Sequence, residues 1–201
     1  MQEECIPAEK VFMAQLGETT QQRFSAHPPI VEELKTKARK LGLWNMFLPK
    51  GHYKESAGFT NLEYGLMAEV LAHGYLASEA TNCAAPDTGN MEVLAKYGTE
   101  KQKKRWLEPL LEGKIRSAFL MTEPDVASSD ATNIRMTILK EGNEYVLNGS
   151  VSYFSGERTS DLFLNLRRNG GLQAQETLVA RSTLSWANLI QITNPSTSNN
   201  P

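Results

Sequence analysis

From Ile30 onward the apolar positions Ile30, Leu34, Ala38 and Leu41 recur at three- and four-residue steps, while Lys35, Lys37, Arg39 and Lys40 fall on the other side. That is the period of an amphipathic helix, opened by Pro28-Pro29 and stopped by Gly42. Thr60-Asn-Leu-Glu63 reads as a capping box, the Thr oxygen meeting one orphan N–H and Glu63 reaching back to another. Behind it Leu62, Leu66, Met67, Val70 and Leu71 predict one apolar face that ends at Gly74. A shorter helix is predicted from Met91 to Tyr97, with Gly98 as its stop. Thr99-Glu-Lys-Gln102 opens the next, which buries Trp106 and Leu107 and is expected to break near Pro109.

After Gly113 the period changes from 3.6 to 2. Ile134, Met136 and Ile138 alternate with polar neighbours, Glu141-Gly142-Asn143 turns the chain, and Tyr145 and Leu147 alternate on the way back, predicting a hairpin. Ser160–Leu166 and Glu176–Ala180 read as further strands. Helices first and sheet second imply an α+β fold: a helical domain over 1–114 and a β-domain over 115–187. From Asn188 the chain is rich in Asn, Ser, Thr and Pro, and residues 188–201 are expected to form a frayed, disordered tail.

Composition narrows the function classes. The chain has 201 residues, 21 Lys and Arg against 23 Asp and Glu, and a net charge of −2. A nucleic-acid binder usually carries a basic excess or stripe, so none is expected as a partner. No apolar run approaches the length of a membrane span. Cys5 and Cys83 cannot make a disulfide framework and read as an ordinary intracellular pair. The N-terminus shows no secretory or transit signal and the C-terminus no peroxisomal tripeptide. There is no G-x-G pair for a dinucleotide fold, no P-loop and no G-x-S-x-G elbow. His27, His52 and His73 are scattered without zinc spacing, so no metal site is expected. The Lys101–Arg105 run shares a helix with Trp106 and reads as a solvated face.

One segment concentrates chemistry. Ala118-Phe-Leu-Met-Thr122-Glu-Pro-Asp-Val-Ala-Ser128-Ser-Asp130-Ala-Thr-Asn133 begins as an apolar strand and ends in hydroxyls and carboxylates. Ser128, Ser129 and Thr132 could donate to an anion or a polar ring edge, with Asp130 capping the turn. The alternative is a plain Asx or Ser/Thr turn leaving a strand.

The string resembles the flavin-binding signature of the acyl-CoA dehydrogenases, in which a strand ending in Thr-Glu-Pro precedes a Ser-Asp pair. Gly42-Leu-Trp-Asn, Ala85-Pro-Asp-Thr-Gly-Asn-Met-Glu92, Tyr97-Gly-Thr-Glu-Lys-Gln-Lys-Lys104 and Trp106-Leu-Glu-Pro-Leu-Leu-Glu-Gly113 extend the resemblance to the branch of family members ten and eleven, over roughly residues 5 to 156. The resemblance implies an FAD flavoprotein oxidoreductase that dehydrogenates an acyl-CoA thioester in fatty-acid oxidation and lipid metabolism. It implies an N-terminal helical domain, a middle β-domain and a C-terminal helical domain that supplies the catalytic glutamate. The pattern fades after Gly156, so the C-terminal bundle is expected to be missing and the catalytic residue is unknown.

Carried over by resemblance, Phe119, Leu120, Met121 and Thr122 line the flavin, Ser128 and Ser129 meet the FAD phosphates, and Ser129 also approaches the acyl-CoA. After Asn148-Gly149, Tyr153 takes the position of an aromatic that is usually Trp, Phe154 follows it, and Ser155 takes the hydroxyl position; strand core is the competing reading for the two aromatics. The loop is one residue longer than the common signature, with Ser128 in place of Gly. Electron-transfer flavoprotein or another acceptor, homo- or hetero-oligomers with full-length relatives, and a mitochondrial or peroxisomal location are implied in the same way. The alternative is a truncated, catalytically inactive fragment that binds a partner, flavin or CoA.

Overall fold

A computed structural model describes residues 1–127, 129–141, 144–149, 153–156, 162–165 and 190–193. For Phe24, Ala131 and the strand residues from 138 onward only the backbone is described. The chain divides into two compact units, Met1–Lys114 and Ile115–Pro201.

The first unit carries α1 (Cys5–Gln15), α2 (Thr20–Ser25), α3 (Pro29–Lys40), α4 (Asn61–Leu71), α5 (Ala77–Ala80) and α6 (Asp87–Tyr97). In α3 the helical period is realised: Leu34 and Ala38 are buried, and Ile30 packs on the cluster of Ala8, Leu34, Leu76 and Ala80. Two positions depart from it. Leu41 is the C-cap, already past the last turn, and is 70% exposed. Lys35, expected outside, is buried, because its ammonium lies 2.9 Å from Glu79 and 3.0 Å from Glu32. Burial pushes that ammonium's pKa down, but Glu79 and then Glu32 outweigh it, and the net direction is up.

The capping box at Thr60 forms as read: Glu63 N–H donates to Thr60 Oγ1 at 3.2 Å, and Thr60 N–H to Glu63 Oε2 at 2.8 Å. The single apolar face expected on α4 does not. Tyr64, Met67 and Leu71 pack against Met46, Ala77 and Cys83, whereas Leu62, Leu66 and Val70 are 76%, 61% and 50% exposed. At 100° per residue the two sets form separate stripes, and only one turns inward.

Helix α6 begins at Asp87, four residues before the expected start at Met91. The expected break near Pro109 is also absent. Helix α7 (Glu100–Gln102) runs through a π-helical turn (Lys103–Leu107) into α8 (Glu108–Leu111), with Pro109 in the first turn of α8. There the N–H that proline lacks is not required, and the wider turn accommodates the ring. The carbonyls at the end of α8 are met by side chains: Trp44 Nε1 and Asn45 Nδ2 donate to Leu111 O at 2.7 and 2.8 Å, and Asn82 Nδ2 to Leu110 O at 3.0 Å. Gly113 follows at φ +68°, with the Trp44 ring and Arg39 filling the space a Cβ would need.

The second unit holds β1 (Ser117–Thr122), β2 (Thr137–Glu141), β3 (Glu144–Asn148), β4 (Tyr153–Gly156), β5 (Leu162–Asn165) and β6 (Ile190–Thr193). They form two three-stranded sheets, ordered β4-β1-β5 and β2-β3-β6. The hairpin read from residues 134–147 is β2–β3, antiparallel, with Glu141 opposite Glu144, but its first strand starts at Thr137, and Ile134 and Met136 precede it. The strand read over 160–166 is β5, parallel to β1. The expected frayed tail is corrected at 190–193, where Ile-Gln-Ile-Thr has the period of a strand and pairs antiparallel with β3. The strand expected over 176–180 lies outside the described residues.

Candidate functional site

Strand β1 is Ser-Ala-Phe-Leu-Met-Thr, with Ser117, Ala118 and Leu120 buried and Phe119, Met121 and Thr122 half-buried. Its antiparallel neighbour β4 pairs Ala118 with Gly156, Phe119 with Ser155 and Leu120 with Phe154. The register then slips, and Thr122 pairs with Tyr153. Met121 is thus the extra residue of a β-bulge, a device that turns a strand's end and re-aims its side chains. Two segments thirty residues apart in sequence therefore run side by side.

Where β1 ends, Glu123 is buried, 7% exposed, although a carboxylate is costly to bury without partners. Its Oε2 accepts the N–H of Arg135 at 2.9 Å and its Oε1 that of Met136 at 2.8 Å. One side chain thereby joins the two ends of the loop that carries the hydroxyls. Within the loop, Asp130 Oδ1 accepts from Thr132 N at 2.9 Å and Thr132 Oγ1 at 2.7 Å, capping a short 3₁₀ turn (Ala131–Asn133). These bonds hold the Asp130 carboxyl below its usual pKa. Ile134 and Met136 are buried and Arg135 and Thr137 exposed, so the loop leaves on the alternation of a strand. Gly149 closes the arrangement: a Cβ there would stand 2.9 Å from Met136 Cγ and 3.0 Å from its Cα.

The sequence-derived residues are placed as follows. Phe119, Leu120, Met121 and Thr122 are consecutive on β1, next to the backbone of Tyr153, Phe154 and Ser155. Ser129 is exposed on the loop. Thr132, read as a donor to ligand, is committed to Asp130. Ser128 lies outside the described residues. Reading the sequence missed Glu123 and the close packing at Gly149. The signal for the first was a carboxylate set directly after an apolar strand and before proline, where nothing local can neutralise it. Among the described residues no cluster of His, Cys, Asp or Glu could hold a metal ion, and no helix is long and apolar enough to cross a membrane. Cys5 and Cys83 are free thiols.

Residues 8–114 match the acyl-CoA dehydrogenase N-terminal domain. The chain belongs to the acyl-CoA dehydrogenase family. Acyl-CoA dehydrogenase family member 11 of Gallus gallus is 52% identical over 159 residues, covering 78% of this chain and 20% of the relative. The probable acyl-CoA dehydrogenase FadE2 of Mycobacterium tuberculosis is 58% identical over 130 residues, covering 64% of this chain and 31% of the relative. This chain thus spans between a fifth and a third of the length of those two relatives. A solved structure from Mycobacterium abscessus described as an acyl-CoA dehydrogenase superposes with a TM-score of 0.69 at 45% identity, covering 79% of this chain and 39% of that one. A glutaryl-CoA dehydrogenase from Mycobacterium smegmatis in complex with FADH2 does so with a TM-score of 0.52 at 26% identity, covering 66% and 33%.

Proposed function

We propose that this chain carries the flavin-contacting strand and loop of an acyl-CoA dehydrogenase and serves the α,β-dehydrogenation of an acyl-CoA thioester with FAD as cofactor. The observation that carries the reading is the pairing of β1 with β4, which sets residues 119–122 beside 153–155 with the hydroxyl loop starting at the strand's end. The donor set suits a flavin and its diphosphate. Glu123 is buried with both oxygens on backbone N–H groups and Asp130 Oδ1 accepts from Thr132, while the Ser129 side chain is exposed on the loop.

Phe119, Met121 and Thr122 offer the ring system the half-buried side chains of β1, and Leu120, buried against Ala118, lies among them. Ser128 and Ser129 serve the diphosphate, and Ser129 also the acyl-CoA. Tyr153, Phe154 and Ser155 complete the proposed set, on the strand whose backbone pairs with β1. Bound FAD supplies the hydride acceptor, while these residues orient it and keep the reacting carbons aligned. Electron-transfer flavoprotein as acceptor, oligomers with longer relatives, and a place in mitochondrial or peroxisomal fatty-acid oxidation belong to the same proposal.

The test is the visible absorption spectrum of the purified chain titrated with FAD, for the parent and for Thr122→Val with Ser129→Ala. A bound-flavin spectrum in the parent, weakened in the double variant, supports the site; a parent that stays colourless after desalting refutes it. Anaerobic bleaching of the flavin band by an acyl-CoA then tests dehydrogenation itself. The exposed Leu62, Leu66 and Val70 stripe favours a second reading, a binding module without turnover. It predicts flavin or CoA binding with no bleaching.

A further inference from the structure

Glu123 is the one carboxylate of the hydroxyl loop that is buried, and both its oxygens are used, on the N–H groups of residues twelve and thirteen positions away. We propose that Glu123 is a positioning residue of the flavin site. Resting on the flavin reading above, the inference is that Glu123 sets the loop, and with it Ser129, at the end of β1 without touching the cofactor. Three contacts make the frame. Glu123 follows Thr122, the last residue of β1; its carboxylate fixes Arg135 and Met136; and Met136 packs against Gly149, which leads into β4. The hydroxyls thus sit on a loop whose two ends are tied to one side chain, and the cofactor does not have to order them on binding.

Glu123→Gln is the direct test, because it keeps size and shape while replacing one acceptor oxygen by an NH2 group that faces a backbone N–H. FAD titrations of the full chain are read at a temperature where far-UV circular dichroism shows parent and variant fully folded. The expected result is roughly tenfold or greater loss of FAD affinity, with a flavin spectrum closer to that of free FAD. A folded Glu123→Gln chain with the parent's affinity and spectrum overturns the proposal while leaving the flavin site standing. A parent that never binds FAD removes both. Hydrogen exchange on the parent supplies a reading that no variant is needed for. Without FAD the amides of Arg135 and Met136 should already exchange slowly, and exchange there as fast as in an unstructured peptide overturns the proposal.

Discussion

Adding one methyl group at Gly149 tests the packing that joins the loop to the β2–β3 hairpin. An alanine Cβ would lie 2.9 Å from Met136 Cγ and 3.0 Å from Met136 Cα and Cβ, where carbon atoms ordinarily sit at about 3.5–4.0 Å. The Cγ can rotate away, but the Cα moves only with its own N–H, which is held 2.8 Å from Glu123. Overpacking of this kind costs roughly 1–3 kcal/mol, set against about 0.4–1 kcal/mol gained from a stiffer unfolded chain. The net is about 1–2 kcal/mol of destabilisation. For a unit of this size that lowers its melting temperature by roughly 4–8 °C per kcal/mol. Gly65→Ala is the internal comparison: it lies within α4 with nothing within 4 Å of the new Cβ, and alanine there should stabilise by about 0.5–1 kcal/mol. Thermal melts by far-UV circular dichroism should therefore move in opposite directions for the two substitutions. A Gly149→Ala chain melting at or above the parent would refute the reasoning.

Lys35 should give the chain a loss of stability at high pH. Its folded pKa is raised, so its contribution is complete below the unfolded value near 10.5 and disappears as pH rises through the folded one; Lys35→Met should flatten that part of a melting-temperature profile taken from pH 8 to 12. The thiols should label unequally. Burial raises the pKa of Cys83, which Tyr64 and Thr81 also hold by hydrogen bonds, and a thiol reagent at pH 8 should reach it only after denaturant is added, with two fast-reacting thiols as the contrary result. Tyr64, pushed up to about 12 chiefly by burial and then by Cys83, should stay protonated in an ultraviolet titration up to pH 11 unless the first unit unfolds. Trp44→Phe removes the N–H given to Leu111 O and should cost about 1 kcal/mol, read as a lower urea midpoint.

Local chemistry decides what local chemistry can satisfy, and that part of the protein was legible in the sequence. The capping boxes at Thr60 and Thr99 each close within four residues, so the letters alone specify them. The core side of α3 follows from a 3.6 period, and the β2–β3 hairpin from a period of 2 on either side of Glu141-Gly142-Asn143. The strand-to-hydroxyl-loop signature is likewise contiguous, so the sequence alone carries the family resemblance. Pro109 shows where a local rule fails, because a π turn upstream absorbs it.

Tertiary structure decided everything that depends on which distant partner arrives. Lys35 is buried because Glu79, on another helix, reaches it, and no pattern within α3 announces that. Leu62, Leu66 and Val70 are as apolar as Met67 and Leu71, yet it is the second set that joins the cluster around Met46, Ala77 and Cys83, so hydrophobicity could not tell the stripes apart. Tyr153 and Ser155 became neighbours of β1 through a register and a bulge set by strand pairing across thirty residues. Glu123 is a clamp only because residues 135 and 136 return to it. A sequence states which groups need a partner; the fold supplies the partner, and at this site the partners come from far along the chain.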